Sequence, residues 1–148
     1  MGASQVTGKR SETGLTRSAA DVLEWARTAR PQALADLVSA LGRLGEPALA
    51  PVLASLAGHV DPEVRLVVAQ TLGGLPDTSP ATIEALVVLS CDAEEEVRSW
   101  ATFGLCAEGR SRLPRVDDAL VVRLGDPCEE VRVEAARGLA GLAPVLDG

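Results

Sequence analysis

The sequence predicts an all-α solenoid of about four helical hairpins, on three observations. The first is a word written three times in one register: Pro47/Leu53/Glu63-Val64-Arg65/Leu72, Pro80/Leu86/Glu96-Val97-Arg98/Leu105 and Pro114/Leu120/Glu130-Val131-Arg132/Leu139, with a period of 33 and then 34 residues. Self-similarity at that period marks stacked supersecondary units. The second is composition. The chain is 47% hydrophobic with no Tyr and one Phe, and its apolar content is mostly Ala, Leu and Val. Small and aliphatic residues suit close-packed helices, whereas strands favour β-branched and aromatic residues. The third is apolar spacing: Leu34, Leu37, Val38, Leu41 and Leu44 recur at helical intervals.

Taken in order, residues 1–17 are polar, rich in Gly, Ser and Thr and without periodicity, and read as a disordered tail. The repeat domain then spans 18–148, with repeats at about 18–45, 46–78, 79–112 and 113–148. Ser18 is a candidate N-cap ahead of Val22, Leu23, Trp25 and Ala26. Pro31 either ends that helix or begins the next, and Gly45 terminates the second. This first unit lacks Glu-Val-Arg, as terminal repeats often do because one face meets no neighbour. Each full repeat reads as helix A, turn, helix B. Helix A opens near the aligned proline, where a missing N–H costs nothing, and Pro51 falls in a first turn. The turns are His59-Val60-Asp61-Pro62, Asp92-Ala93-Glu94-Glu95 and Asp126-Pro127-Cys128-Glu129. Helix B starts there, with carboxylates at its positive end. The one-residue difference in period falls between Leu105 and Pro114.

Charge narrows the partners. The net charge is −7, and because Lys9, Arg10 and Arg17 stand against Glu12 in the tail, the remaining body carries −9. An acidic body is poorly suited to phosphates or anionic lipid, so neither nucleic acid nor a membrane is expected as partner. Three cysteines, Cys91, Cys106 and Cys128, with no CxxC and no apolar leader predict free thiols and a cytoplasmic location. Lys9 is the only lysine, and that bias toward arginine points to a GC-rich bacterial gene.

The turn Asp61-Pro62-Glu63-Val64-Arg65, leading into an Ala/Leu-rich helix, resembles HEAT repeats, particularly the short bacterial type first associated with phycobilisome lyases. The second and third copies keep Glu-Val-Arg but set their Asp two residues earlier. The resemblance covers 47–142 strongly and 18–44 weakly. It implies a right-handed solenoid, helix B on the concave side, and a protein-binding scaffold. It also implies that Arg65, Arg98 and Arg132 form a structural ladder with Asp61, Asp92 and Asp126. Some relatives attach bilins to cysteines, modify hydroxylated residues or excise bases, so an accessory or lyase-like module acting on a tetrapyrrole or a modified protein is the alternative. A nucleic-acid-binding domain is the second, disfavoured by acidity.

Candidate sites follow from position. Counted from the Arg of helix B, positions −1, +3, +7 and +10 are apolar, as in Val64/Val68/Leu72/Leu75 and Val131/Ala135/Leu139/Leu142, and form the core stripe. Positions +2 and +5 lie off it. They hold Val67 and Gln70 in the first copy, Trp100 and Phe103 in the second, Glu134 and Arg137 in the third. Trp100 and Phe103 share a helix face at i, i+3. Two readings stand side by side: the centre of a partner-binding surface flanked by the other four, or aromatic filling of a gap in the stack. Trp25 reads as packing in the first repeat. His59, the only histidine, reads as an exposed turn residue. No nucleophile–base pair, metal-ligand spacing or cofactor motif emerges, so no enzyme activity, cofactor or metal is expected. Glu94-Glu95-Glu96 reads as a solvated helix start. Arg110, Arg112 and Arg115 read as a solvated connector, the alternative being a dock for a phosphate or an acidic partner. The expectation is a non-catalytic adaptor for a protein or peptide, as a monomer or weak homodimer.

Overall fold

The computed structural model describes residues 29–45 and 49–141. The tail at 1–17, Ser18, Trp25, Pro47 and Leu142 lie outside the described residues. Those residues hold seven α-helices and no strand: α1 (Pro31–Leu44), α2 (Ala50–Ala54), α3 (Pro62–Gly74), α4 (Pro80–Leu89), α5 (Glu95–Leu105), α6 (Pro114–Arg123) and α7 (Glu129–Leu139). Pro31 begins α1 rather than ending a helix before it, and Gly45 closes α1 in the left-handed conformation at φ 65°. Pro51, Pro62, Pro80 and Pro114 all sit in first turns.

Helices stack in two layers. The B helices α1, α3, α5 and α7 each pack on the next, as do the A helices α2, α4 and α6, and each A helix packs on the B helix that follows it. The apolar stripe of the B helices forms the core. Val64, Val68, Leu72 and Leu75 are buried, as are Val97, Ala101, Leu105, Val131 and Ala135, while Leu139 is half-buried at the last repeat. Small residues set the separation of neighbouring B helices. A Cβ on Gly104 would lie 2.8 Å from Gly73 Cα, and one on Gly138 would run into Cys106 Sγ. Thr71, Gly104 and Gly138 occupy one register of the repeat, each facing the preceding B helix.

The ladder forms between repeats, displaced from the expected pairing. Arg65 Nε and Nη2 donate to both oxygens of Asp92 at 2.7 and 3.1 Å, and Arg98 donates likewise to Asp126 at 2.9 and 3.2 Å. Each arginine's Nη1 turns back to its own turn: Arg65 to the carbonyls of His59 and Val60, Arg98 to those of Asp92 and Ala93, Arg132 to those of Asp126 and Pro127. The guanidinium thus clasps its own turn while holding the carboxylate of the next. Arg132 has the first half of this arrangement without the second among the described residues.

Among the described residues Asp61 is not a rung. Its Oδ1 accepts from the Glu63 N–H at 2.8 Å, an ordinary helix cap. The equivalent of Asp92 and Asp126 is His59, two residues earlier. Asp92 Oδ1 accepts from the N–H two residues on, at Glu94, and Asp126 Oδ1 from Cys128; His59 Nδ1 accepts from Asp61 N–H in the same way at 3.0 Å. An imidazole nitrogen therefore replaces the carboxylate as turn acceptor but adds no negative charge for an arginine. His59 is half-buried, not exposed. Burial alone would raise Asp92 and Asp126, but hydrogen bonds from Arg65 and Arg98 and from the turn N–H groups outweigh it, and both sit below the usual carboxylate range.

Of the three arginines read as a solvated connector, Arg112 and Arg115 are exposed and Arg110 is not. Arg110 is 1% exposed. Its guanidinium donates to five carbonyls: Leu72, Gly73 and Leu75 at the end of α3, Asp77 in the connector after it, and Gly104 in α5, at 2.6–3.1 Å. The last carbonyls of a helix have no intrahelical partner. One planar cation satisfies those of two neighbouring B helices at once. Arg115 instead forms an exposed fork with Glu84, and Arg112 adopts φ 79° beside Gly141. This removes Arg110 from any phosphate-docking role.

Candidate partner-binding groove

Between α5 and α7 the B layer opens into a groove of about 510 Å³, lined by Ser99, Trp100 and Phe103 on one wall and Glu129, Glu130, Val133, Glu134 and Arg137 on the other. Helical spacing explains the first wall: positions +2 and +5 of α5 project away from the Val97/Ala101/Leu105 stripe toward the next helix. Trp100 and Phe103 meet edge to face, with centroids 6.0 Å apart and planes at 74°, the arrangement aromatic quadrupoles favour. Trp100 remains 40% exposed and Phe103 is half-buried. The rings are therefore not sealed inside the stack. Val133, 45% exposed, continues the apolar floor on the opposite helix.

The second wall is charged. Glu129 and Glu130 are exposed in the first turn of α7. Glu134 is half-buried, and its Oε2 is buried with no hydrogen-bond partner among the described residues. Burial holds the Glu134 carboxyl above its ordinary range, and the nearby Arg137 charge offsets only part of that. At the end of α5 the buried Cys106 thiol donates to the Glu134 carbonyl at 3.5 Å. Burial first, then the Glu134 charge, push this thiol up to about 12, so it stays protonated at neutral pH.

A family model for HEAT repeats matches residues 19–106, more than half of the chain. The chain belongs to the HEAT-repeat family. No curated protein matches it. The third HEAT-like copy lies beyond the matched residues, yet its Arg132 clasp and its packing on α5 repeat those of the copies before it. HEAT repeats serve in general as protein-interaction scaffolds.

Of the six residues placed in a partner surface by sequence, the HEAT stack brings together four: Trp100, Phe103, Glu134 and Arg137 line one groove. Val67 and Gln70 do not join it. Val67 is half-buried against the core cluster, and Gln70 lies in a shallower depression of about 270 Å³ with Ser39, Gly42, Arg43, Thr71 and Gly74. The Gln70 depression lies at the seam of α1 and α3, two seams from the groove, because each depression forms between two B helices rather than along one. Sequence reasoning missed Glu129, Glu130 and Val133. Their signal was available: Glu130 falls four residues before Glu134 and Val133 four before Arg137, the spacing of one helix face, with Glu129 beside Glu130. Among the described residues no helix is long and apolar enough to cross a membrane, and no three His, Cys, Asp or Glu side chains gather as a metal-binding group.

Proposed function

We propose that this protein is a non-catalytic adaptor that binds a segment of another protein in the groove between α5 and α7. The observation that carries the reading is Trp100, 40% exposed beside Phe103 in a chain with three aromatic residues in all. Leaving a large ring at the surface forgoes burial energy of about 25 cal/mol per Å². A covering partner recovers it, which is why such rings recur as binding hot spots. Two further features support the non-catalytic part. His59, the only imidazole, spends its Nδ1 as a turn acceptor, and Cys106 is a buried, protonated thiol. The adaptor role fits what HEAT repeats do in general.

The test is affinity capture from the native cell with the full chain and its Trp100→Ala variant. The variant is expected to lose the captured partner, with binding weakened by about 2 kcal/mol or more, while its denaturation midpoint stays close to that of the parent. A partner retained equally by both proteins overturns the groove as the binding site. A variant that unfolds like a core-cavity mutant, by about 3–5 kcal/mol, shows that Trp100 serves the stack instead.

A further inference from the structure

We infer that the groove selects a partner segment bearing an arginine, whose guanidinium lies against Trp100 and bonds to Glu130 and Glu134. This rests on the reading of the groove as a protein-binding site and adds the chemistry of what enters it. Three carboxylates, Glu129, Glu130 and Glu134, share the α7 wall with one guanidinium, Arg137, opposite Trp100 and Phe103. The imbalance is local as well as global, since the whole chain carries −7. A cation is the complement of this wall, and an exposed indole beside carboxylates attracts a cation by its quadrupole.

A second observation separates this groove from an ordinary acidic helix start. Glu63, Glu95 and Glu96 also occupy first turns of B helices, where they oppose the positive helix end. Glu134 does not: it lies in the second turn of α7, and its Oε2 is buried without a hydrogen bond. Buried polar atoms are usually paired; Thr102 Oγ1 and Arg123 Nε share this unpaired state, but of the three only the Glu134 oxygen belongs to the groove wall, where it offers an acceptor to an incoming donor. Arg137 lies three residues on and makes no ion pair with Glu134 among the described residues, although such spacing permits one. Among the described residues three arginines make fork-shaped contacts with carboxylates: Arg65 on Asp92, Arg98 on Asp126 and Arg115 on Glu84. A planar guanidinium stacks on an indole and bonds a carboxylate through the same fork, which an ammonium cannot do.

The probe is a random twelve-residue peptide library panned on the full chain, with selected peptides resynthesised with a fluorophore and with each arginine replaced in turn by citrulline, its neutral isostere. Selected sequences are expected to share an arginine. Its replacement should weaken binding about tenfold, the scale of one lost charge-assisted fork. Glu134→Gln and Glu130→Gln should each weaken the arginine peptide several-fold and leave the citrulline peptide unchanged. Peptides that bind, depend on Trp100 and show no arginine preference overturn this inference and leave the groove reading standing. So does equal binding of the arginine and citrulline forms. Peptides indifferent to Trp100→Ala, or none selected at all, overturn both.

Discussion

The seam between α3 and α5 and the seam between α5 and α7 are built from the same repeat and finished differently. Both carry a rung, Arg65–Asp92 in one and Arg98–Asp126 in the other. Both bring small residues into contact, Gly73 with Gly104 and Cys106 with Gly138. The first seam is then closed by Arg110, whose five bonds bind the end of α3 to α5. The second spreads into a groove with a half-exposed tryptophan and a carboxylate oxygen lacking a partner. The repeat motif supplies the stack, and residues outside the motif decide which seam is sealed and which stays open. Under the proposed function, stability and binding fall to adjacent seams of one architecture.

The sharpest way to break this comparison is at Arg110. Arg110→Met removes a charged donor from five carbonyls, of which Leu72, Leu75 and Gly104 keep a backbone N–H while Gly73 and Asp77 do not, and breaking this buried network is expected to cost about 3 kcal/mol or more, read from a urea denaturation midpoint. A loss under about 1 kcal/mol means that the first seam is not held by this side chain. Gly104→Ala comes next. Alanine normally gains up to about 1 kcal/mol over glycine in a helix, but here the new Cβ meets Gly73 backbone, which cannot move alone, and overpacking costs about 1–3 kcal/mol. Net destabilisation is expected, and a more stable protein refutes the close seam. Arg98→Ala should follow at about 1–3 kcal/mol, and exceed Arg132→Ala, since among the described residues Arg98 bonds a carboxylate as well as its own turn and Arg132 bonds its turn alone.

Smaller effects sharpen the distinction by pH. Asp92 and Asp126 are depressed in the fold, so the stability they lend is present above the unfolded carboxylate range near pH 4 and is lost as pH falls through their lower folded values. Glu134 runs the other way: its carboxyl is raised, so its ionisation disfavours the fold as pH rises through the carboxylate range. Glu134→Gln should therefore melt slightly above the parent at pH 7, with the difference shrinking on acidification. A Glu134→Gln protein less stable at pH 7 places that carboxylate in a bonded network of the stack and removes it from the binding wall.

The stack was legible because the B-helix stripe is repetitive: Val64, Val97 and Val131 announce one another. The aligned turns place His59 in the slot of Asp92 and Asp126, yet the ladder was drawn through Asp61, because it is the carboxylate nearest that slot; its side chain caps α3 instead. Arg110 was missed for a physical reason. A guanidinium in a connector reads as solvated unless one knows that helix ends converge on it, though it lies in the very segment where the period changes from 33 to 34. Trp100 and Phe103 were found because they break the pattern at fixed offsets. Their neighbours across the groove were found only in part, since sequence offsets locate residues on one helix and a groove needs two.

Arg110 also bears on how the molecule comes apart. A stack whose units touch only their neighbours can fray from an end, one hairpin at a time. Here a single side chain from the connector after α5 reaches back to the end of α3, so neither helix can open without exposing the other's carbonyls. The segment from α3 through α5 is expected to behave as one foldon, its amides exchanging together and last. The hairpin of α6 and α7, joined to it across the open seam, is free to loosen first. The groove would then lie where a lasting unit meets a yielding one, and its width could adjust to an arriving chain while the rest holds still.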